Sequence, residues 1–461
     1  MAADNVELPP QPKAILRGHK AQIHAVVFIR SNERLLTGDA DGFVAAWDLT
    51  TMRPRAVWQA HDSTILGLAG WGTDKVITHG RDNKLIVWRL SAADESSMST
   101  SLPLEVAPEP RSKPWMLHML PVNTMNFCAF ACSPASPASA LASTSHSAPQ
   151  TDLLVAVPNT LASEAIDVYT LPSQSRIHTV RLGGEHGMAM ALRLTWLSNV
   201  LTLIVGYEDG LTVVTQLGDD GSWHVIYRVQ CHKQPVLSLD IAPSLEYFLT
   251  SSADATIAKH PLPTPQREAE EVPSYDSGQA SHHTDEPEKM AASLFETDAR
   301  EPGQDTPVSL LSAALASRSR AADLRVAKSP IVETQPLRVI NTKHSGQQGL
   351  RLRSDGRVFA TAGWDSKVRV YSAKTMREVA VLKWHPVGCF TVAFADITTA
   401  NFGNETAARS ESSIGEDASE HAVAPRALDM TVKGRRIHQA KTAHWLAAGS
   451  KDGKVSLWDI F

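Results

Sequence analysis

Cysteine is scarce in this chain: four residues in 461, Cys128, Cys132, Cys231 and Cys389. Only the first two are close, and their spacing matches no paired zinc-ligand pattern. That excludes a disulfide framework and points to free, mostly buried thiols in a reducing compartment. Long apolar runs are also missing, since none approaches the roughly 18 residues of a membrane-spanning helix. The opening MAADNVELPPQPK has no apolar core of the signal-peptide kind, so a soluble, intracellular chain is the expectation. Nor is there an excess of one charge: 44 basic and 49 acidic residues leave a net −5, with no overall basic field for nucleic acid or an anionic membrane. Catalytic signatures are missing too. The chain holds no Gly-x-Ser-x-Gly elbow, no His-Glu-x-x-His pair and no phosphate-binding loop. His282 and His283 sit in a polar stretch and read as solvated. No catalytic residue, cofactor or metal site is therefore predicted.

What the chain does have is 43% hydrophobic residues, enough for a large core, and a recurring phrase. TGDADGFVAAWDL (37–49) returns as THGRDNKLIVWRL (78–90), VGYEDGLTVVTQL (205–217), TSSADATIAKHPL (250–262), TAGWDSKVRVYSA (361–373) and AGSKDGKVSLWDI (448–460). Each copy is a short apolar run, a turn containing Asp, then alternating apolar and polar residues. That pattern is a strand, a tight turn and a strand. The turn acids are Asp41, Asp82, Asp209, Asp254, Asp365 and Asp452. Six residues after them stand Trp47, Trp88, Thr215, His260, Tyr371 and Trp458. Histidines precede the first five acids by 21 to 23 positions: His19, His61, His186, His232 and His344. For the sixth, His385 lies 67 positions upstream because a Ser- and Glu-rich stretch intervenes.

Repeats of this length with Gly-His near the start and Trp-Asp near the end resemble the WD-repeat family, whose units are four-stranded blades of a β-propeller. The resemblance implies a buried hydrogen-bond chain within each blade: His19, Thr37, Asp41 and Trp47 in the first, His61, Thr78, Asp82 and Trp88 in the second. Later copies depart from it. Val205 and Ala448 stand where a hydroxyl is expected, and Thr215 and His260 replace Trp. A degenerate third unit is expected between residues 91 and 182, around PVNTMNFCAFAC and LLVAVPNTLASEAIDVYTL.

Four stretches are rich in Ser, Ala, Pro and charge and are expected to be disordered inserts: about 94–113, 132–150, 263–335 and 396–441. With these and the tail 1–12 set aside, about 42 residues remain for each of seven blades, the length a WD blade needs. The expected fold is thus all-β, a seven-bladed propeller over 13–461 closed by the N-terminal strand PKAILRGH, which would complete the last blade and remove its open edge.

Outside the repeats, VSLLSAALASRSRAADLRV (308–326) places Val308, Leu311, Leu315 and Ala322 on one helical face, either a partner-docking helix or a transient one. KGRR at 433–436 is a weak nuclear address or a solvated loop. Ser133, Ser136, Thr306 and Ser329 each precede a proline and are weak phosphorylation candidates. Trp364 is a weak candidate for a binding residue at the channel mouth.

The segments LRGHKAQIHAVVFIRSNERLLTGDADGFVAAWDL, AHDSTILGLAGWGTDKVITHGRDNKLIVWRL, PWMLHMLPVNTMNFCAF and LAAGSKDGKVSLWDIF resemble the fungal ASTRA-associated protein family, related to the G-protein β-subunit-like WD-repeat proteins. That resemblance implies a nuclear, non-catalytic scaffold subunit of the ASTRA assembly, with a cytoplasmic share left open. It implies roles in chromatin remodelling and in maturing phosphatidylinositol-3-kinase-related kinases. The partners it implies are RuvB-like ATPases, the Tel/Tti cochaperone and a kinase-related large subunit, with no direct nucleic acid and no membrane. A WD-repeat reader or ubiquitin-ligase substrate receptor stands as the alternative, although no Trp-Asp-x-Arg adaptor motif follows any hairpin. A propeller enzyme ranks last.

Overall fold

In each Asp-Gly copy the glycine explains why the phrase recurs. Gly42 has φ +82°, and a Cβ there would lie 2.0 Å from the carbonyl oxygen of His61 in the next repeat. Gly210 is pressed in the same way against the carbonyl of His232, and Gly453, near the end of the chain, against that of His19 near its start. A side chain at any of the three would be strained and would collide with the neighbouring loop.

The computed structural model describes residues 10–105, 110–123, 127–138, 152–263, 332–397 and 431–460. They form seven antiparallel four-stranded sheets. Blades 1 to 6 span residues 23–59, 65–121, 131–180, 189–230, 236–341 and 347–382, each with its strands in chain order. Blade 7 takes three strands from the end, Cys389–Phe394, Trp445–Ser450 and Val455–Asp459, and its fourth from the beginning, Ala14–Leu16. Ala14 pairs with Leu457 and Leu16 with Val455, so the last blade has no open third-strand edge.

Apolar residues pack between neighbouring blades rather than within one. Leu36, Val44 and Trp58 of blade 1 meet Ile65, Val76 and Trp88 of blade 2. Leu16, Trp445 and Leu457 of blade 7 meet Ile23, Leu35 and Trp47 of blade 1, which closes the ring. Comparable clusters join each remaining neighbouring pair. First strands of adjacent blades lie side by side around the centre in every neighbouring pair but blades 2 and 3.

Up-and-down connectivity puts the turns between strands 1 and 2 and between strands 3 and 4 on one face. The turns between strands 2 and 3, with the loops entering the next blade, lie on the other. All four long inserts leave from the first face: after the third strand in blades 2 and 5, and after the first in blades 3 and 7.

The insert boundaries differ from the sequence expectation. Residues 94–105, expected to be disordered, run along the outer edge of blade 1, where the Ser99 carbonyl accepts from Val57 N–H at 2.8 Å. Glu95, in a 3₁₀ turn over Asp94–Ser97, is buried and takes the guanidinium groups of Arg30 and Arg34. Cys132 and Ser133 belong to the first strand of blade 3, Ala131–Pro134. Glu333 exchanges backbone hydrogen bonds with Ile226 and Arg228 at the edge of blade 4, both 3.0 Å. KGRR lies in a helix, Val432–Thr442, rather than a loop. Edge pairing uses backbone groups, so a Ser-rich strip can do it without any apolar pattern. Val308, Leu311, Leu315 and Ala322 lie outside the described residues, as do Thr306 and Ser329.

Candidate functional site

The second blade holds the hydrogen-bond chain that the WD-repeat resemblance implies. His61 Nδ1 lies 2.8 Å from Asp82 Oδ1, His61 Nε2 lies 2.7 Å from Thr78 Oγ1, and Trp88 Nε1 donates to the same hydroxyl at 2.9 Å. The carboxylate can only accept, which puts the imidazole proton on Nδ1 facing Asp82; Nε2 of the neutral ring then takes the threonine's hydrogen, and the indole N–H donates to the hydroxyl oxygen. Burial raises the Asp82 carboxyl, but the bonds from the His61 ring and the Asp62 N–H outweigh it and bring it down to about 2.

Blade 1 builds the same chain with a different acid. His19 Nδ1 meets Asp39 Oδ2 at 2.6 Å, its Nε2 meets Thr37 Oγ1 at 2.7 Å, and Trp47 Nε1 donates to Thr37 at 2.8 Å. Asp39 is fully buried and also accepts from the backbone N–H groups of Asp41 and Phe43. Asp41, to which the WD-repeat resemblance gives this role, is exposed. Gly80 shows why. A Cβ on it would sit 2.6 Å from Asp82 Oδ1 and 2.3 Å from His61 Nδ1, so glycine leaves the space that the turn acid fills. Two residues after its threonine, blade 1 carries Asp39 at that position, and its carboxylate fills the space itself.

The departures in later copies are repaired in unexpected ways. In blade 5, Thr250 Oγ1 lies 2.8 Å from both His232 Nε2 and His260 Nε2, and Tyr227 OH lies 2.8 Å from His260 Nδ1. The tyrosine donates to Nδ1, so His260 presents an Nε2–H to the threonine as an indole would. Burial and the nearby His232 push His260 down to about 3, keeping it neutral. In blade 7 the hydroxyl changes strand: Ala448 faces Ser456 across the ladder, and Ser456 Oγ takes His385 Nε2 at 2.9 Å and Trp458 Nε1 at 2.8 Å. In blade 6 the buried Arg369 holds Asp365 at 2.6 Å, while His344 stays 3.7 Å away and partly exposed.

Blade 4 keeps only His186 to Asp209, at 2.9 Å. There Val205 and Thr215 end the chain. The degenerate blade 3 buries Asp167 on its third strand, where it accepts from Asn159 Nδ2 at 2.8 Å and Thr179 Oγ1 at 2.6 Å. Sequence reasoning missed this pair because the acid sits within a strand rather than in the turn.

These polar chains are consumed inside the blades and offer nothing to a ligand. The thiols are equally withdrawn, since burial raises Cys132 and Cys231 to about 11 and Cys389 to about 12. The surface at Trp364 is different. Its ring lies half exposed in the turn after the second strand of blade 6, and Nε1 donates to Gln348 Oε1 at 2.7 Å. Gly346 has φ +74°, and a Cβ there would come 2.2 Å from the indole, so this glycine is what lets the ring lie flat. With Val387, Phe390 and Lys451 the ring walls a cleft of about 580 Å³, and Phe390 stacks on His24 with centroids 5.2 Å apart.

Comparison with known proteins then assigns the lineage. The family model described as ASTRA-associated protein 1 matches residues 12–458, almost the whole chain. The chain belongs to that family. It is 51% identical to the ASTRA-associated protein 1 of Pyricularia oryzae, over 98% of both chains. It is 49% identical to that of Verticillium alfalfae, over 98% of this chain and 93% of the relative. The Schizosaccharomyces pombe protein of the same name is 30% identical over 84% of this chain and 93% of its own length. Relatives from filamentous fungi and fission yeast thus match across the ring.

Proposed function

We propose that the chain is a non-catalytic scaffold subunit of the ASTRA assembly, holding partner proteins on a closed seven-bladed ring. Family membership carries the assignment to that assembly. The ring supports a holding role, because the repeat histidines of blades 1, 2, 5 and 7, namely His19, His61, His232 and His385, are engaged inside the blades, and loops on its two faces are left to meet partners. On this reading the partners are RuvB-like ATPases, the Tel/Tti cochaperone and a kinase-related large subunit. The work is chromatin remodelling and the maturation of phosphatidylinositol-3-kinase-related kinases, in the nucleus. The Trp364 cleft supports a second reading, a reader of a peptide or protein tail, because an exposed indole beside Phe390 is a surface ready to take an apolar side chain.

Affinity purification of the tagged full-length protein from its own cells, followed by mass spectrometry at moderate salt, tests the first reading. Recovery of the ATPases, the cochaperone subunits or the large kinase-related protein supports it. Recovery of a cullin adaptor in their place would overturn it.

A further inference from the structure

The helix Val432–Thr442 poses a physical problem. It has 11 residues, a glycine inside it and no acid in its first turn, and among those of its side chains that are described only Ala440 is buried. A helix this short is marginal in water, and cations at its N-terminal end oppose its dipole. Two contacts fasten its C-terminal half: Trp445 Nε1 donates to the Ala440 carbonyl at 3.1 Å, and Lys441 pairs with Glu33 of blade 1 at 2.8 Å. Its N-terminal half lies open beside blade 1, on the face from which all four inserts depart, and a cleft of about 540 Å³ separates the two.

The charges of the cleft are lopsided. On the blade side every ion is spent: Arg55 donates to Asp48 at 2.9 Å, Arg34 donates to Glu95 at 2.8 Å, and Glu33 accepts from Lys441. On the helix side Arg436 lines the cleft and Arg435 precedes it in the helix; both are exposed, and neither side chain has a hydrogen-bond or ion-pair partner among the described residues. The uncompensated charge is therefore positive. Beside it stand two aliphatic side chains facing water, Val432 at 60% and Ile437 at 37% exposure, both lining the cleft.

We propose that this cleft is the docking site for an acidic segment of a partner protein, which seats an apolar side chain against Val432 and Ile437 and its carboxylates on Arg435 and Arg436. The proposal rests on the reading that the chain works by holding proteins. Carboxylates complement the two free guanidinium groups, and an apolar side chain covers surface that the ring leaves wet. A nucleic-acid backbone would meet the arginines but leave the aliphatic pair uncovered.

Fluorescence anisotropy on the full-length protein tests it, with a labelled peptide of alternating glutamate and leucine as probe. Binding is expected to fall about tenfold in Arg435→Glu/Arg436→Glu and several-fold in Ile437→Ser, with thermal unfolding unchanged in both because the residues are exposed. Several results overturn the proposal: no binding, equal binding of polyglutamate, tighter binding of duplex DNA, or unchanged affinity in the charge-reversed variant. Binding that appears only after residues 398–430 are removed would make the occupant the chain's own segment, and would also overturn it. Co-purification of assembly subunits with the tagged chain is a separate readout, so failure here leaves the scaffold reading to stand or fall by itself.

Discussion

His19 Nδ1 lies 2.6 Å from Asp39 Oδ2, and Asp41, the acid that the repeat spacing selects, is turned to solvent. Asp39→Ala strands the imidazole N–H and two backbone donors in a buried site, at a cost of about 3 kcal/mol. Asp41→Ala is expected to stay within about 0.5 kcal/mol of the parent. Urea denaturation of the two variants checks the contrast.

The Gly80 comparison yields a sharper test. Asp39→Gly clears the space into which a turn acid can reach, so Asp41 can take over. Asp39→Gly is expected to lose less than Asp39→Ala despite glycine's backbone entropy, and adding Asp41→Ala is expected to remove the difference. Equal loss in both single variants would show that Asp41 cannot reach.

Much of this architecture was legible in the sequence, because a repeated phrase with fixed offsets reports a repeated geometry. The blade number came from the repeat count and the length left per unit, the closing strand from the unpaired strands near the two ends, and the second-blade hydrogen-bond chain from the WD-repeat resemblance. What spacing could not show was which of two acids, two residues apart, enters the blade. That depends on whether the last residue of the second strand leaves room, and a glycine at that position was the available signal. His260 and Ser456 were unreadable for a related reason. The hydrogen-bond role survives while its bearer changes type or strand, and only the cross-strand register reveals the replacement. Edge strips such as 94–105 carry no pattern because they bind through backbone.

Ser456 and Ala448 face each other in blade 7. Ser456→Ala removes the partner of both His385 and Trp458 and is expected to cost about 1 to 3 kcal/mol. Moving the hydroxyl back with Ala448→Ser/Ser456→Ala is expected to recover most of it. A double-mutant cycle on unfolding free energies measures the recovery.

His79 is buried edge-on to Phe130, and neither ring nitrogen has a hydrogen-bond partner among the described residues. Replacing it with an apolar side chain removes unsatisfied polar atoms from the interface of blades 2 and 3. His79→Leu is therefore expected to keep or raise the melting temperature at neutral pH. A large fall would show that the imidazole has a partner after all.

Acid should act in two stages. Burial, with the nearby His61, pushes His79 down to about 3, and burial with His232 does the same to His260, against an ordinary value of 6.5. Between those values the unfolded chain binds more protons than the folded one, so stability is full above about 6.5 and is lost as pH falls toward about 3. The carboxyls of Asp82 and Asp254 are raised by burial but lowered further, to about 2, by their histidine and backbone partners, against an ordinary 3.8. Their contribution is present above 3.8 and is lost as pH falls through about 2. Melting temperature is expected to drop already between pH 6.5 and 4, and less steeply in His79→Leu.

The claim that the ring must be closed to hold its partners is tested most directly by quantitative co-purification. Full-length protein and a chain lacking residues 1–17, which removes the strand Ala14–Leu16 that completes blade 7, would be tagged and expressed at equal level in the native cells. Loss of the ASTRA subunits from the truncated chain, together with faster proteolysis of blade 7, is the result expected of a ring scaffold. Undiminished recovery with a demonstrably opened ring would contradict it.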